Sequence, residues 1–398
     1  MKKTGFCNKG FFVFGMIAAI SLSGCSSFPE KGYDLSFAEA EQREAATDCK
    51  KKMEQIQSIY ERADKGEASN VVLQDETMLE MQKALQKTGH PVSVTIPYCD
   101  MENYEKSDRF LKDCENGRSG SAVIYEIRRD GGINRKKFLF DGEDMYVVST
   151  SGDWLENDTP GIAYTTCMQI KEWEYTENGW FCYELCVPEP PEVTEIIDGS
   201  CLIRIVPMPE KERELTKRCV QKIGYQGNNL LCSDWDLNNL SALDYNGLYE
   251  YLYEMKYGER FQAENDTDGI PKAEFESLIM EYFPISEEEL QEYAEFDEKT
   301  SMYAWAPLGC GNYSPNFFGT SVPEVVEIKE NPNDTVTLTV NAVCDMVICD
   351  DALITHELTV RFKEDGSFQY LGNEIRKEDR NNVPEYQYRV KGEIKNGS

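Results

Sequence analysis

The sequence predicts an α+β fold: N-terminal helices with an antiparallel β meander, then a helical segment and a C-terminal antiparallel β sheet. Three observations carry this expectation. Apolar residues recur at spacings of three or four early in the chain and again after about residue 210. They alternate with polar residues between 121 and 187 and once more after Pro307, and Gly-, Asn- and Asp-containing turns punctuate the alternating stretches.

Taken in order, Ser36 and Glu39 have the spacing of a capping box. Ala45, Cys49, Met53, Ile56 and Tyr60 follow on one helical stripe, so a helix is predicted over about 37–63. A second, over about 76–87, stops at Gly89. The runs SAVIYEIRR, NRKKFLF and MYVVST are separated by Asp130-Gly131-Gly132 and Asp141-Gly142. IKEWEYT and WFCYELCV flank Glu177-Asn178-Gly179, a hairpin signal. Together they make a meander of five or more strands packed on the N-terminal helices, ended by the proline-rich stretch 188–191.

Residues 201–207 read as a strand, and 210–224, 246–257 and 271–282 as helices, the last entered at Pro271. Ser286 with Glu289 makes a second capping box for a short fourth helix. VVEIKE, TVTLTVNAV, ITHELTVRF and SFQYLGNEI then return to strands. In the final hairpin a three-residue loop, Glu364-Asp365-Gly366, pairs Phe362 with Phe368 and Val360 with Tyr370, keeping them on the face of Ile354, His356 and Leu358. A two-residue loop would send Phe368 and Tyr370 to the wrong side, because one step of register exchanges the two faces of a strand. The expected organisation is a leader (1–24), a tether (25–35), a helix-plus-meander domain (36–190) and a helical-then-β domain (200–392).

Composition narrows the function. The 398 residues hold 41 Lys and Arg against 72 Asp and Glu, a formal charge of −31. A nucleic acid, held through neutralised phosphates, is therefore not an expected partner. No glycine-rich phosphate loop, dinucleotide fingerprint or G-x-S-x-G elbow occurs, and no cofactor is expected.

The N-terminus states an address. Lys2, Lys3 and Lys9 accompany the twelve-residue apolar run 11–22, which at ~1.5 Å per residue is too short to cross a hydrocarbon core of roughly 30 Å. Leu22-Ser23-Gly24-Cys25 follows, and it resembles the lipobox of bacterial lipoproteins. That resemblance implies cleavage before Cys25, a diacylglyceryl group on its sulfur, and a chain anchored to the cell membrane by lipid and facing outside the cytoplasm. Two acyl chains make a lasting anchor where one gives only marginal binding. Loss of the leader leaves 38 basic against 72 acidic residues, a charge of −34, so the lipid and not a basic surface must hold the protein at the membrane. The C-terminal third, from PEVVEI through TVTLTVNAV and THELTVR to GSFQYLGNEI, is similar to uncharacterised lipoproteins of Firmicutes, a resemblance that implies no catalytic residues.

Fourteen cysteines stand against two histidines. With Cys7 in the leader and Cys25 lipidated, twelve remain, an even number that permits disulfides in an exported chain and equally suits small buried hydrophobes. None has C-x-x-C spacing, so zinc-ribbon and thioredoxin-like chemistry lose their basis.

Candidate sites are few. Cys310 in PLGCGNYSPN, with His356 downstream and Asp365 or Asn373 beyond, has the chain order of papain-like peptidases, but Gly311 and Pro315 do not suit the helix that activates such a thiol. His356 lies on the apolar face of its strand, where a satisfied core histidine is the commoner occupant. NDTDGIPKAEF resembles a calcium loop with Asp266, Asp268 and Glu274 as ligands. With Gly269 at loop position six, however, Phe275 occupies the place of the bidentate Glu, and a polar turn before the next helix is preferred. Trp154, Trp173, Trp180, Tyr175 and Tyr183 could stack on sugars but more often form core. The preferred reading is a noncatalytic binding or structural module of the cell envelope. Its ligand would be a cell-wall component or a hydrophobic molecule held in the curl of the meander, since a helix followed by a meander loosely resembles lipid-carrier lipoproteins. The competing reading is a cysteine hydrolase acting on envelope material through Cys310 and His356.

Overall fold

The computed structural model describes residues 32–67, 70–263, 269–309, 313–344 and 351–390. It is an α+β molecule. The first half contains α1 (Glu39–Arg62), α2 (Asp75–Gln86), β1 (Val92–Val94) and α3 (Glu105–Glu115). The strands β2 (Gly120–Ile127), β3 (Ile133–Phe140), β4 (Met145–Trp154), β5 (Pro160–Tyr175), β6 (Trp180–Leu185) and β7 (Ser200–Arg204) follow. They form one seven-stranded sheet in chain order, antiparallel throughout except that β1 pairs parallel with β2.

The stripe foreseen for α1 is the buried one: Ala45, Cys49, Met53, Ile56 and Tyr60 all face the sheet. Its start differs from expectation. Ser36 and Glu39 form no capping box; Ala38 is the N-cap and has no side-chain cap. The preceding chain is committed elsewhere, because the Leu35 N–H bonds the Cys167 carbonyl at 2.9 Å and Leu35 and Phe37 pack on Val148 and Cys167. Glycine at 152 lets α1 approach: a Cβ there would stand 2.5 Å from Met53 Sδ and 3.0 Å from Cys49 Sγ.

Two elements of this first half were not foreseen, β1 and α3. Ser107, Phe110, Leu111 and Cys114 do give α3 an i, i+3, i+4, i+7 stripe, but seven of its eleven residues are charged, which hides so narrow a face. Its place matters. The sheet curls until β1 and β7, the ends of the strand order, line one groove. The inside of that curl is filled by Phe138, Phe181 and Tyr183 in edge and stacked contacts, and α3 packs Phe110, Leu111 and Cys114 into the same cluster. The inside of the meander's curl, where a hydrophobic ligand was expected, is packed with the chain's own side chains.

β7 also changes the reading of the proline-rich stretch. Expected to open the second unit, it pairs with β6 from Trp180↔Arg204 to Glu184↔Ser200, so residues 188–191 lie in a connection within the first sheet. The physical reason is that β6 would otherwise present an open apolar edge, and Leu202 and Ile203 supply the pattern to cover it.

The second half runs through α4 (Glu210–Leu215), a π-helical turn Thr216–Val220, β8 (Trp235–Asp236) and α5 (Tyr245–Tyr257). It continues with β9 (Ile270–Pro271), α6 (Lys272–Tyr282), α7 (Glu287–Tyr293), β10 (Phe296–Asp297) and β11 (Met302–Tyr303). The strands β12 (Val322–Glu330), β13 (Val336–Val343), β14 (Ile354–Phe362) and β15 (Phe368–Ile375) close it. β10, β11 and β9 make a small sheet, and the main one has the order β12-β13-β14-β15-β8. The Ser286–Glu289 capping box is present at α7. The last hairpin has the foreseen register, Phe362↔Phe368 and Val360↔Tyr370, with Gly366 left-handed at φ 85°. A bulge at Leu371 then shifts the pairing, so that Thr359 faces Gly372. Helices cover one face of this sheet, where Tyr282 and Phe283 meet Phe368 and Tyr370 and the Tyr370 hydroxyl donates to the Cys219 carbonyl at 2.6 Å.

The close seat of α1 yields a test. Gly152→Ala overpacks Met53 and Cys49 and is expected to lower stability by about 1–3 kcal/mol in urea unfolding. Gly120→Ala, whose Cβ meets only Phe110 at 3.6 Å, should change it by less than about 1 kcal/mol.

Candidate functional site

His356 sits on β14 with no exposed surface. Its Nδ1 is 2.6 Å from Asn373 Oδ1 on the neighbouring β15, and its Nε2 is 2.9 Å from the Tyr225 hydroxyl. The Asn373 amide group donates to the Ser233 carbonyl at 2.9 Å, which leaves its oxygen to accept. Nδ1 therefore carries the proton and Tyr225 donates to Nε2. This is a neutral imidazole with both nitrogens used, and burial lowers its pKa to about 4. The pairing of His356 with an orienting Asn373, suggested by their order along the chain, is thus real, but the face an activating base would turn to a thiol is occupied by Tyr225. Cys310 lies outside the described residues, as do Cys25, Asp266 and Asp268. Glu274 stands exposed in the first turn of α6. The second histidine, His90, is half-buried and edge-on to Tyr125 at 5.5 Å, its pKa lowered by burial and by nearby Lys52.

The described cysteines include many that pack as hydrophobes. Cys49, Cys114 and Cys219 are buried thiols, and burial pushes each up to about 12. Such groups stay protonated and unreactive at neutral pH. Among the aromatics singled out, Trp180, Tyr175 and Tyr183 are buried. Trp154 stacks on Tyr60 at 4.3 Å, and Trp173 packs edge-on to Phe140. None forms an open platform for sugars.

The sheets meet at a place no sequence pattern marked. Glu324 on β12 is 1% exposed. It accepts from Trp180 Nε1 at 2.5 Å and pairs with Arg204 of β7, whose guanidinium also lies 5.3 Å from the Trp180 ring. Burial holds the Glu324 carboxyl above its usual range against the opposing pull of Arg204 and the Trp180 N–H, and it lowers Arg204 likewise. Tyr98 donates to the Pro323 carbonyl and Val325 N–H to the Thr216 hydroxyl, while Val343 packs on Trp180 and Leu202.

Beside this junction runs a groove of about 360 Å³ between β1 and β7, walled by Val94, Ile96, Pro97, Leu202, Met208 and Val322. Glu126 and Arg204 supply polar points in it. The sequence held little to find it by. Alternation on β12 puts Glu324 opposite Val325 and reads it as a solvent-facing residue, and only the docking of the first sheet buries it.

A family model described as a family of unknown function (DUF6070) matches residues 42–389, and the chain belongs to that family. The match spans both sheets and the junction between them. No curated protein and no solved structure matches the chain.

Two outcomes are expected. Glu324→Gln leaves Arg204 charged, buried and without its counter-ion, and should cost about 3–5 kcal/mol by denaturant unfolding. The double variant Arg204→Met/Glu324→Leu should recover most of that loss, because the desolvation of both charges disappears with them. For His356, the folded pKa of about 4 lies below the unfolded value of about 6.5, so the unfolded chain takes up the proton first as pH falls. The stability this contributes is complete above pH ~6.5, and about 3 kcal/mol is lost as pH drops to 4. His356→Leu strands the Tyr225 hydroxyl and Asn373 oxygen. It should be less stable than wild type at pH 7, with the gap narrowing between pH 6.5 and 4; a gap independent of pH would mean His356 is not buried neutral.

Proposed function

We propose that this member of a family of unknown function is a lipid-anchored protein on the outer side of the cell membrane, held through Cys25. There it acts as a noncatalytic binding or structural module of the cell envelope, taking an apolar part of an envelope molecule into the groove between β1 and β7. The observation that carries the binding role is the groove itself. It is an apolar recess left open where the sheet fails to close, while the inside of the curl is packed solid. Pockets of this kind, mostly apolar with a few placed polar groups, suit small ligands. The noncatalytic reading draws on His356, both of whose nitrogens are engaged.

The anchor draws on Leu22-Ser23-Gly24-Cys25. Among the described residues no helix is long and apolar enough to cross a membrane, so attachment would rest on the lipid. Metabolic labelling with a fatty acid should mark the wild-type chain and leave Cys25→Ala unmarked; label retained by the variant overturns the location. For the groove, a fluorescent fatty acid should bind saturably to the wild-type chain and at least tenfold more weakly to Met208→Asp. Equal binding would remove the groove from the reading.

A further inference from the structure

The first described residues are not a loose lead-in. The Gly32 carbonyl accepts from the Gln169 N–H at 2.6 Å and the Leu35 N–H donates to the Cys167 carbonyl, so 32–35 lie along β5 where β6 has ended. A Cβ on Gly32 would stand 2.8 Å from Cys186 Sγ, and the Tyr33 hydroxyl donates to Glu192. The end of the tether and the connection 186–199 therefore share one patch of surface. Four residues beyond Glu192 stands Ile196, at 91% exposed the most exposed large apolar side chain among the described residues, with Ile197 at 43% beside it.

We propose that Ile196 and Ile197 form a second contact with the membrane, dipping into the headgroup region of the bilayer to which Cys25 is anchored. The proposal rests on the lipidation of Cys25. From Cys25 to Gly32 is seven residues, about 25 Å fully stretched and on the order of 13–16 Å as a coil. A tether that short turns the patch around Gly32 toward the lipid, and the exposed isoleucines come with it. Anchoring also keeps the loop at high effective concentration near the surface, so a contact too weak to recruit a free protein is still populated.

The charge of the connection decides which lipid it fits. Glu189, Glu192, Glu195 and Asp198 lie in it with no basic residue. Each charge near an anionic surface counts for roughly fivefold in affinity, here as repulsion. Burying the exposed Ile196 contributes on the order of tenfold or more, and the half-exposed Ile197 adds less. Two apolar side chains can hold against neutral headgroups, whereas four like charges offset them on an anionic surface. The lipid recognised is thus zwitterionic.

The test uses the full lipidated chain in phosphatidylcholine vesicles that carry a diazirine-bearing phosphatidylcholine, with lipid adducts mapped by peptide mass spectrometry after irradiation. Adducts are expected on the peptide containing Ile196 and Ile197, reduced at least fivefold in Ile196→Ser/Ile197→Ser while both chains float equally with the vesicles. Replacing a third of the lipid by phosphatidylglycerol should also reduce them. Equal labelling of wild type and variant, or adducts confined to the peptide at Cys25, overturns the second contact and leaves the anchor intact. A chain that fails to float removes the anchor, and this proposal with it.

Discussion

The contact on which the rest of the molecule depends is the buried pair of Arg204 and Glu324, closed on a third side by the Trp180 indole. It comes from two sheets whose other strands are built from local patterns, and it is where they become one body. A buried ion pair gives little net stability, because desolvation of both charges consumes most of their attraction. What it supplies is a position: Glu324 has acceptors for two directed donors, and only one placement of β12 against β6 and β7 satisfies both. Apolar contact between Val343, Trp180 and Leu202 adds area without direction. The groove, the Tyr98 loop and the start of β12 inherit their geometry from this one setting.

The interior accounts for several of the cysteines. Thiols at Cys49, Cys114 and Cys219 pack under α1, α3 and the C-terminal helices, and at Cys49 the close approach of Gly152 leaves little room for a larger side chain. Burial that makes them good filler also keeps them protonated. The same economy governs His356, a polar residue on an apolar strand face that is satisfied locally by Tyr225 and Asn373. Its order with Asn373 looks like part of a catalytic array when read along the chain, and together with Tyr225 the pair acts as a polar clasp in space.

Where the sequence was legible, the signal was short-range and doubly constrained. The last hairpin could be set to the residue because loop length and apolar alternation had to agree on Phe362, Phe368, Val360 and Tyr370. Ser286 and Glu289 satisfy each other within one turn. Ser36 and Glu39 have the same spacing and fail, since the Leu35 N–H is bonded to Cys167, more than a hundred residues away. α3 was missed for a different reason, a stripe of four residues under seven charges.

The sequence by itself determined the α+β class, the faces of the long strands, the burial of His356 and the membership of the aromatics in the core, because each follows from which side chains avoid water along a regular element. Only the tertiary structure decided what covers those faces. It put α3 inside the curl, brought β7 back to β6 across the proline-rich connection, and buried Glu324. Alternation tells a strand which side is apolar, but it carries no information about a partner that later arrives on the polar side, and that partner turned a surface glutamate into the centre of the fold.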